Sequence, residues 1–172
     1  MQKIVLFVDH YIGYRILKNV GELANNKYLS PIAVITTQDN GKKWWPGVEP
    51  LAKSFNIPFF RYNISDLLEF KKLHEADYFF LISWKHLMPK QLFSIPRYGT
   101  INLHYSLLPK FRGTYPVNWA IIKGELTTGI SYHWVDDTID GGNIILQRKV
   151  EIENIDTAKS LYEKMDKAAY NA

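Results

Sequence analysis

The chain has 172 residues, of which 47% are hydrophobic and 22% charged, a composition typical of one globular domain with enough chain for a core. It contains no cysteine, so disulfide bridges and thiolate metal sites are excluded. The formal net charge of +4 comes from scattered Lys and Arg residues, which mildly favour anionic ligands and do not indicate nucleic-acid binding.

Strand and helix patterns alternate through the first half of the chain. A continuous apolar run at 3–8 predicts a strand buried on both faces, and helical spacing from Ile16 to Ala24 predicts a helix closed by Asn25 and Asn26. The alternation continues with strands at 32–35, 58–60 and 78–82, a short helix at 48–55, and a helix at 64–73 that Ser65 would cap. This order predicts an α/β fold with a doubly wound, mostly parallel sheet flanked by helices.

The second half adds a fifth strand and a hairpin. We expect a strand ending at 101–104, a helix at 115–122 and two paired strands at 127–135 and 143–151. A last helix follows, with Asp156 as its predicted cap. We find no repeat or linker, so residues 1–172 are predicted to form one domain.

Three polar residues are expected at the edge of the sheet where such folds bind ligands. Asn102 and His104 lie two apart on a strand and should share a face. Asp140 precedes Gly141 and Gly142, where missing side chains would allow close approach. These residues predict a site for chemistry on a carbonyl group.

Other chemistries find less support. The turn after the first strand has Gly13 alone, so a dinucleotide-binding loop is not indicated. No histidine pair has helical zinc spacing, and neither Ser83 nor Ser106 lies in a nucleophile elbow. We interpret His74 and His133 as structural or solvent-facing, and we expect no metal.

The sequence also bears on localisation. The N-terminal apolar run is too short for a signal peptide, and no segment approaches the roughly 20 apolar residues of a membrane span. We therefore expect a cytoplasmic protein that does not contact the membrane.

The motif HYSLLPKFRG at 104–113, preceded by Asn102 and followed by Asp140-Gly141-Gly142, resembles the signature of the folate-dependent formyltransferases. That resemblance implies transfer of a formyl group from N10-formyltetrahydrofolate to an amine, with Asn102, His104 and Asp140 as catalytic residues. Members usually continue beyond the last helix, so we expect either a minimal catalytic domain or one lacking a C-terminal extension. The sequence is compatible with a homodimer and does not specify the oligomeric state.

Two segments, 36–60 and 116–134, look most like the sugar-nucleotide N-formyltransferases of surface-polysaccharide synthesis. The acceptor implied is therefore a nucleotide-linked amino sugar. Glycinamide ribonucleotide enzymes carry a glycine- and serine-bearing phosphate loop that residues 9–15 do not resemble. Methionyl-tRNA enzymes add a C-terminal basic barrel that residues 1–172 do not include. Both remain alternatives, beside a formyltetrahydrofolate hydrolase and a non-catalytic fragment that binds folate or a sugar nucleotide.

The resemblance also implies binding residues. The folate would contact two loops, through Trp84, Lys85, His86 and Leu87 and through Val135, Asp136 and Ile139. The acceptor would contact Tyr105, Ser106, Lys110 and Arg112, with His10 and Tyr11 as further candidates.

The predicted mechanism is direct attack of the acceptor amine on the formyl carbon. Asn102 and His104 would donate hydrogen bonds to the formyl oxygen as it gains charge. Asp140 would favour the protonated imidazole, and a water held by Asp140 and His104 would relay a proton from the amine to the leaving nitrogen. No covalent enzyme intermediate is required.

Overall fold

The computed structural model describes residues 1–24, 28–37 and 47–172. Two compact units can be distinguished, Met1–Ile101 and Asn102–Ala172, and each is described in turn. The predicted α/β fold, with a mostly parallel sheet flanked by helices, is confirmed. In the described ranges, no helix combines the length and the apolar character needed to cross a membrane.

The first unit is built on a parallel sheet in the order β3-β2-β1-β4. β1 pairs in parallel with both β2 and β4, and β2 pairs in parallel with β3. The elements of this unit are β1 (Gln2–Val8), α1 (His10–Leu23), β2 (Leu29–Thr36), α2 (Val48–Ser54), β3 (Phe59–Arg61), α3 (Ile64–Glu69), a 3₁₀ turn (Lys71–Glu75), β4 (Tyr78–Ile82) and α4 (Lys90–Phe93). β5 (Gly99–His104) begins in this unit and ends in the next.

The core of the first unit lies around β1, whose residues 4–8 are all buried, as a strand covered on both faces requires. Phe7 contacts Phe79 with ring centroids 5.3 Å apart, and Leu17 of α1 is fully buried. A Cβ on Gly21 of α1 would lie 2.4 Å from the Phe55 ring, so glycine lets these segments approach closely.

The second unit contains the end of β5, α5 (Pro116–Ile122), β6 (Thr127–Trp134), β7 (Ile144–Glu151) and α6 (Ala158–Tyr170). β6 and β7 form the predicted antiparallel pair. Leu161, Met165 and Ala169 form the buried stripe of α6, at the four-residue spacing of one helix face.

Several local predictions were wrong. Asn63, not Ser65, caps α3, because the Asn63 side chain accepts a hydrogen bond from the Ser65 N–H. The helix predicted to end at residue 73 divides after Glu69, where the chain tightens into the 3₁₀ turn. Thr157, not Asp156, caps α6, in a reciprocal pair of hydrogen bonds with Ser160.

Two sequence features lie outside the described residues. Asn25 and Asn26, predicted to close the first helix, are not described, and α1 itself ends at Leu23. Residues 38–46 also lie outside the described ranges; they belong to the segment 36–60 on which part of the family resemblance was based.

Asp156 anchors the start of α6 instead of capping it. Its carboxylate accepts hydrogen bonds from the Glu153 N–H at 2.8 Å, the Ser160 hydroxyl at 2.7 Å and Lys164 Nζ at 2.7 Å. These groups lower the pKa of Asp156 to about 2, and the hydrogen bond from Lys164 has the largest effect.

We expect Asp156→Asn to destabilise the protein in a pH-dependent way. Because the folded pKa lies below the unfolded value of about 4, the carboxylate stabilises the fold fully above that pH and loses this effect as the pH falls toward 2. Urea unfolding between pH 2 and 7 should therefore show a difference between wild type and variant that shrinks on acidification. Glu163→Gln, an exposed change on the same helix, is the control. A difference independent of pH would contradict this assignment.

Candidate active site

The end of β5 brings Asn102 and His104 to one face. They are two residues apart, whereas the side chain of Leu103 between them is turned away and buried. His104 is 7% exposed and Asn102 is half-buried. Strand alternation therefore places an amide and an imidazole together, as predicted.

The carboxylate of Asp140 joins these two side chains. Its Oδ1 accepts a hydrogen bond from Asn102 Nδ2 at 3.3 Å, and its Oδ2 lies 3.4 Å from His104 Nδ1. The Gly113 N–H donates to Oδ2 at 2.8 Å and so connects the carboxylate to the loop at 105–113, which carries Lys110 and Arg112. The structure thus brings the predicted trio into one cluster.

The two glycines after Asp140 are required by close approach of the chain itself. A Cβ on Gly142 would lie 1.9 Å from the Trp134 carbonyl oxygen. A Cβ on Gly141 would lie 2.2 Å from the Thr138 hydroxyl. The turn that carries Asp140 therefore closes against the end of β6.

The imidazole of His104 is oriented by backbone. Its Nε2 lies 2.8 Å from the Phe111 carbonyl oxygen, which can only accept, so the neutral ring carries its proton on Nε2. Its Nδ1 then faces Asp140 without a proton. Burial lowers the pKa of His104, and the charge of Asp140 and the Phe111 carbonyl offset this only in part. Asp140 does favour the protonated ring, as predicted, but burial outweighs it.

His133 is the site residue that the sequence interpretation missed. It is 2% exposed on β6, with Nε2 3.1 Å from Asn102 Nδ2 and 3.5 Å from Asp140 Oδ1. Its Nδ1 lies 2.8 Å from the Trp134 carbonyl oxygen, so the neutral ring carries its proton there and accepts from Asn102. Its place at the end of β6, just before the loop that leads to Asp140, was the available signal.

Every donor of the cluster has a partner inside the protein. The two N–H groups of Asn102 point to His133 and Asp140, and the N–H of His104 points to Phe111. The predicted donors to a formyl oxygen are therefore engaged in this arrangement. The contacts to Asp140 are longer than those to His133 and Phe111, so they are the ones a ligand would replace first.

Asp140 stays ionised in this setting. Its burial raises the pKa, but the His133 and His104 rings and the Gly113 N–H together lower it below its usual value. A carboxylate with these neighbours supplies a negative charge beside two imidazoles.

In the first unit, Trp84 lies in an aromatic cluster that follows β4. Its ring meets Phe7 and Tyr62 edge-on at 5.3 and 5.0 Å, and Tyr62 stacks on His86 at 5.3 Å. Within the described residues, the buried Trp84 Nε1 has no hydrogen-bond partner. Leu87 is 76% exposed, and Lys85 and His86 are also exposed. Flat rings with an unused donor fit a heterocycle that bears acceptors.

The other predicted folate residues lie in the loop after β6. Val135 is half-buried, and Ile139 is 58% exposed. Asp136 closes the loop by accepting hydrogen bonds from the Thr138 N–H and hydroxyl, and these bonds lower its pKa. The loop thus presents an apolar side chain beside a carboxylate.

Two predicted acceptor residues are buried and already bonded. Tyr105 is 9% exposed, and its hydroxyl donates to Asp166 of α6. Ser106 is fully buried, and its hydroxyl donates to the Lys110 carbonyl oxygen. These positions hold the chain after His104 in place, so we assign both a structural role.

The basic residues of the loop differ in what they contact. Lys110 Nζ pairs with the Glu125 carboxylate at 3.0 Å to each oxygen, and the exposed Arg112 extends toward Gly141. Arg112, not Lys110, is therefore the cation nearer Asp140.

A cavity of about 640 Å³ lies beside this loop. It is lined by Leu107, Pro109, Lys110, Phe111, Glu125, Thr127, Thr128, Lys149 and Glu151, and Asn102, His104 and Asp140 are not among its lining residues.

The predicted candidates after β1 lie at the start of α1. His10 is exposed and has a left-handed backbone, whereas Tyr11 is half-buried and its ring stacks on Tyr14. The preceding Asp9 is buried and accepts hydrogen bonds from Thr36 and Thr37, which join the ends of β1 and β2. Over residues 1–24, 28–37 and 47–172, no group of three or more His, Asp or Glu side chains is arranged to bind a metal ion.

Comparison with known proteins adds a family. The formyl transferase family model matches residues 61–172. The bifunctional polymyxin resistance protein ArnA of Wigglesworthia glossinidia brevipalpis is 36% identical over 95% of this chain and 25% of that protein. A methionyl-tRNA formyltransferase of Endomicrobium trichonymphae is 35% identical over 95% of this chain and 53% of that protein. A GDP-perosamine N-formyltransferase of Brucella melitensis is 35% identical over 79% and 52%, respectively.

The chain thus spans between a quarter and about half of the length of these curated relatives. Among solved structures, a phosphoribosylglycinamide formyltransferase from Anaplasma phagocytophilum superimposes with a TM-score of 0.83 at 23% identity. That match covers 99% of this chain and 82% of the other, and it shows a shared fold.

Nitrogen-15 NMR can test the hydrogen-bond assignments at His104 and His133. We expect His104 to be protonated on Nε2 and His133 on Nδ1 near neutral pH. Because the charge of Asp140 raises the pKa of His104, Asp140→Asn should move the His104 titration midpoint to lower pH. Glu163→Gln, an exposed change on α6, is the control. A midpoint that rises, or a His104 proton on Nδ1, would contradict the geometry.

Proposed function

The chain belongs to the formyl transferase family, and from this premise we propose that it transfers a formyl group from N10-formyltetrahydrofolate to the amine of a nucleotide-linked amino sugar. The observation that carries the proposal is the buried cluster of Asn102, His104 and Asp140, with His133 behind it. The amine forms a new C–N bond, the bond from the formyl carbon to N10 breaks, and the amine proton ends on N10.

His104 acts as the proton carrier. With its pKa lowered by burial, the ring is uncharged near neutral pH and has a free lone pair at Nδ1. That nitrogen can accept the proton that the attacking amine loses. Asp140 then stabilises the imidazolium, because its carboxylate faces Nδ1 at 3.4 Å. The proton is later returned to the leaving nitrogen.

Asn102 stabilises the charge that develops on the formyl oxygen. Its contact to Asp140, at 3.3 Å, is longer than its contact to His133, at 3.1 Å. Turning the Asp140 carboxylate toward His104 would release one Asn102 N–H for the formyl oxygen. His133 keeps the amide oriented meanwhile, since its Nε2 accepts the other N–H. A preorganised donor of this kind contributes on the order of 3 kcal/mol to catalysis.

The folate supplies the electrophilic formyl carbon when bound. In the first unit, Trp84, His86 and Leu87 are the candidates to hold its flat ring. The unused Trp84 N–H and the exposed Leu87 support this assignment.

The amino-sugar acceptor is supported by the match to a GDP-perosamine N-formyltransferase. Arg112, exposed beside the Asp140 turn, is the residue best placed to pair with a diphosphate. Methionyl-tRNA is the second candidate acceptor, because an enzyme of that name matches 95% of this chain at similar identity.

Replacing His104 with Ala should lower kcat on the order of 100-fold or more, because the proton carrier is lost. The Kd for the formyl donor should change little, since the imidazole acts mainly on the transition state. Stopped-flow turnover and fluorescence titration measure the two quantities, with the exposed His74→Ala as the matched control. Turnover at the wild-type rate would rule out the proposed role.

The acceptor class can be read from a mass-spectrometric assay. The protein is incubated with N10-formyltetrahydrofolate and a panel of nucleotide-linked 3- and 4-amino sugars, methionyl-tRNA, glycinamide ribonucleotide and a blank. We expect a mass gain of one formyl group on an amino sugar alone. Formyl-methionyl-tRNA would select the second candidate, and formate from the blank would indicate a hydrolase. Folate binding without any product would indicate a binding protein.

A further inference from the structure

The loop from Tyr105 to Gly113 supplies two of the backbone contacts that build the catalytic cluster. The Phe111 carbonyl oxygen accepts from His104 Nε2, and the Gly113 N–H donates to Asp140. Both distances are 2.8 Å, shorter than the contacts between the catalytic side chains themselves. The position of this loop therefore decides where the imidazole and the carboxylate lie.

The loop does not adopt this shape by backbone preference. Phe111 has a φ of 54°, in the left-handed region that is unfavourable for a non-glycine residue. A conformation of that kind persists only where surrounding contacts hold it. β6 and β7 supply contacts to the same loop, at Ser106 and Leu108, which precede Phe111.

Ser131 of β6 is the first of them. It is fully buried, and its hydroxyl donates to the Ser106 carbonyl oxygen at 2.6 Å and accepts from the Leu108 N–H at 3.1 Å. The second is Gln147, which stands opposite Ser131 in the β6–β7 pairing. Its Nε2 donates to Ser131 Oγ at 2.8 Å and to the Leu108 carbonyl oxygen at 3.0 Å.

These bonds form a closed set. The Ser131 hydroxyl uses its one proton and both lone pairs, and the Gln147 amide uses both of its protons. Leu108 has its N–H and its carbonyl satisfied by the same two side chains. Only a group with two donors can complete the set at position 147, so glutamate, with acceptor oxygens alone, cannot replace glutamine there.

We propose that Gln147 and Ser131 are positioning residues that hold the loop so that the Phe111 carbonyl and the Gly113 N–H orient His104 and Asp140. The inference rests on the proposed function only for its kinetic consequence. Its structural consequence, the hydrogen bond at His104 Nε2, can be measured without turnover.

The first test is Gln147→Met, which keeps the length of the side chain and removes both donors. We expect kcat to fall about 10–100-fold, since small displacements of catalytic groups have effects of this size, with the Kd for the formyl donor nearly unchanged. The matched control is Gln91→Met, a change of an exposed glutamine on α4.

The second readout is the His104 signal in nitrogen-15 NMR. The Phe111 carbonyl raises the pKa of His104, as does the neighbouring Asp140, whereas burial and the facing His133 lower it. Loosening the loop should therefore shift the His104 midpoint to lower pH and weaken the hydrogen-bonded Nε2–H resonance. A stably folded variant with an unchanged midpoint and resonance overturns the proposal, whatever the turnover of the wild type.

Ser131→Ala provides a variant with a smaller change in volume. It should shift the His104 midpoint in the same direction, and the double variant should show less than the sum of the two single effects, because both residues act on one loop. Additive effects would overturn the proposal, as would a Ser131→Ala protein with wild-type kcat. Should Gln147→Met fail to fold, the Ser131→Ala result alone decides between the two outcomes.

Discussion

The carboxylate of Asp140 is the group on which the candidate site depends. It lies among an amide, two imidazoles and a backbone N–H, and each of the three side chains is oriented in turn by a second contact. Asn102 is held by His133, His104 by the Phe111 carbonyl, and His133 by the Trp134 carbonyl. Neutralising or moving one carboxylate therefore changes the hydrogen-bond direction of several groups together.

The side-chain N–H donors of the cluster are already paired within the protein, and this shapes the chemistry that it can perform. A donor group that is already paired does not have to be desolvated when a ligand enters, but it must exchange one partner for another. The longer contacts all end on Asp140. The contacts that an entering ligand would replace most easily are therefore those to this carboxylate.

Much of this arrangement could be predicted from the sequence, because it follows from local rules. The buried run at 3–8 and the alternation in the hairpin specify β1, β6 and β7, and the spacing of Asn102 and His104 specifies their common face. The role of His133 could not be predicted in this way. Alternation along β6 shows that it is turned inward, but not that Asn102 lies opposite. The hydrogen bonds of Ser106 and Tyr105 could not be predicted for the same reason, since their partners Lys110 and Asp166 depend on how the loop and α6 fold back.

Left-handed backbone occurs in several non-glycine residues that follow a strand or build the candidate site. In the described part of the chain this conformation occurs at His10, Asn56, Ser83, Phe111, Tyr115 and Asp140. His10 follows β1 and Ser83 follows β4, while Phe111 and Asp140 build the cluster itself. Each such residue costs the folded state roughly 1–2 kcal/mol. At Phe111 and Asp140, which build the candidate site, backbone stability and the geometry of the site are in opposition, so selection for a more heat-resistant protein would tend to erode the site first.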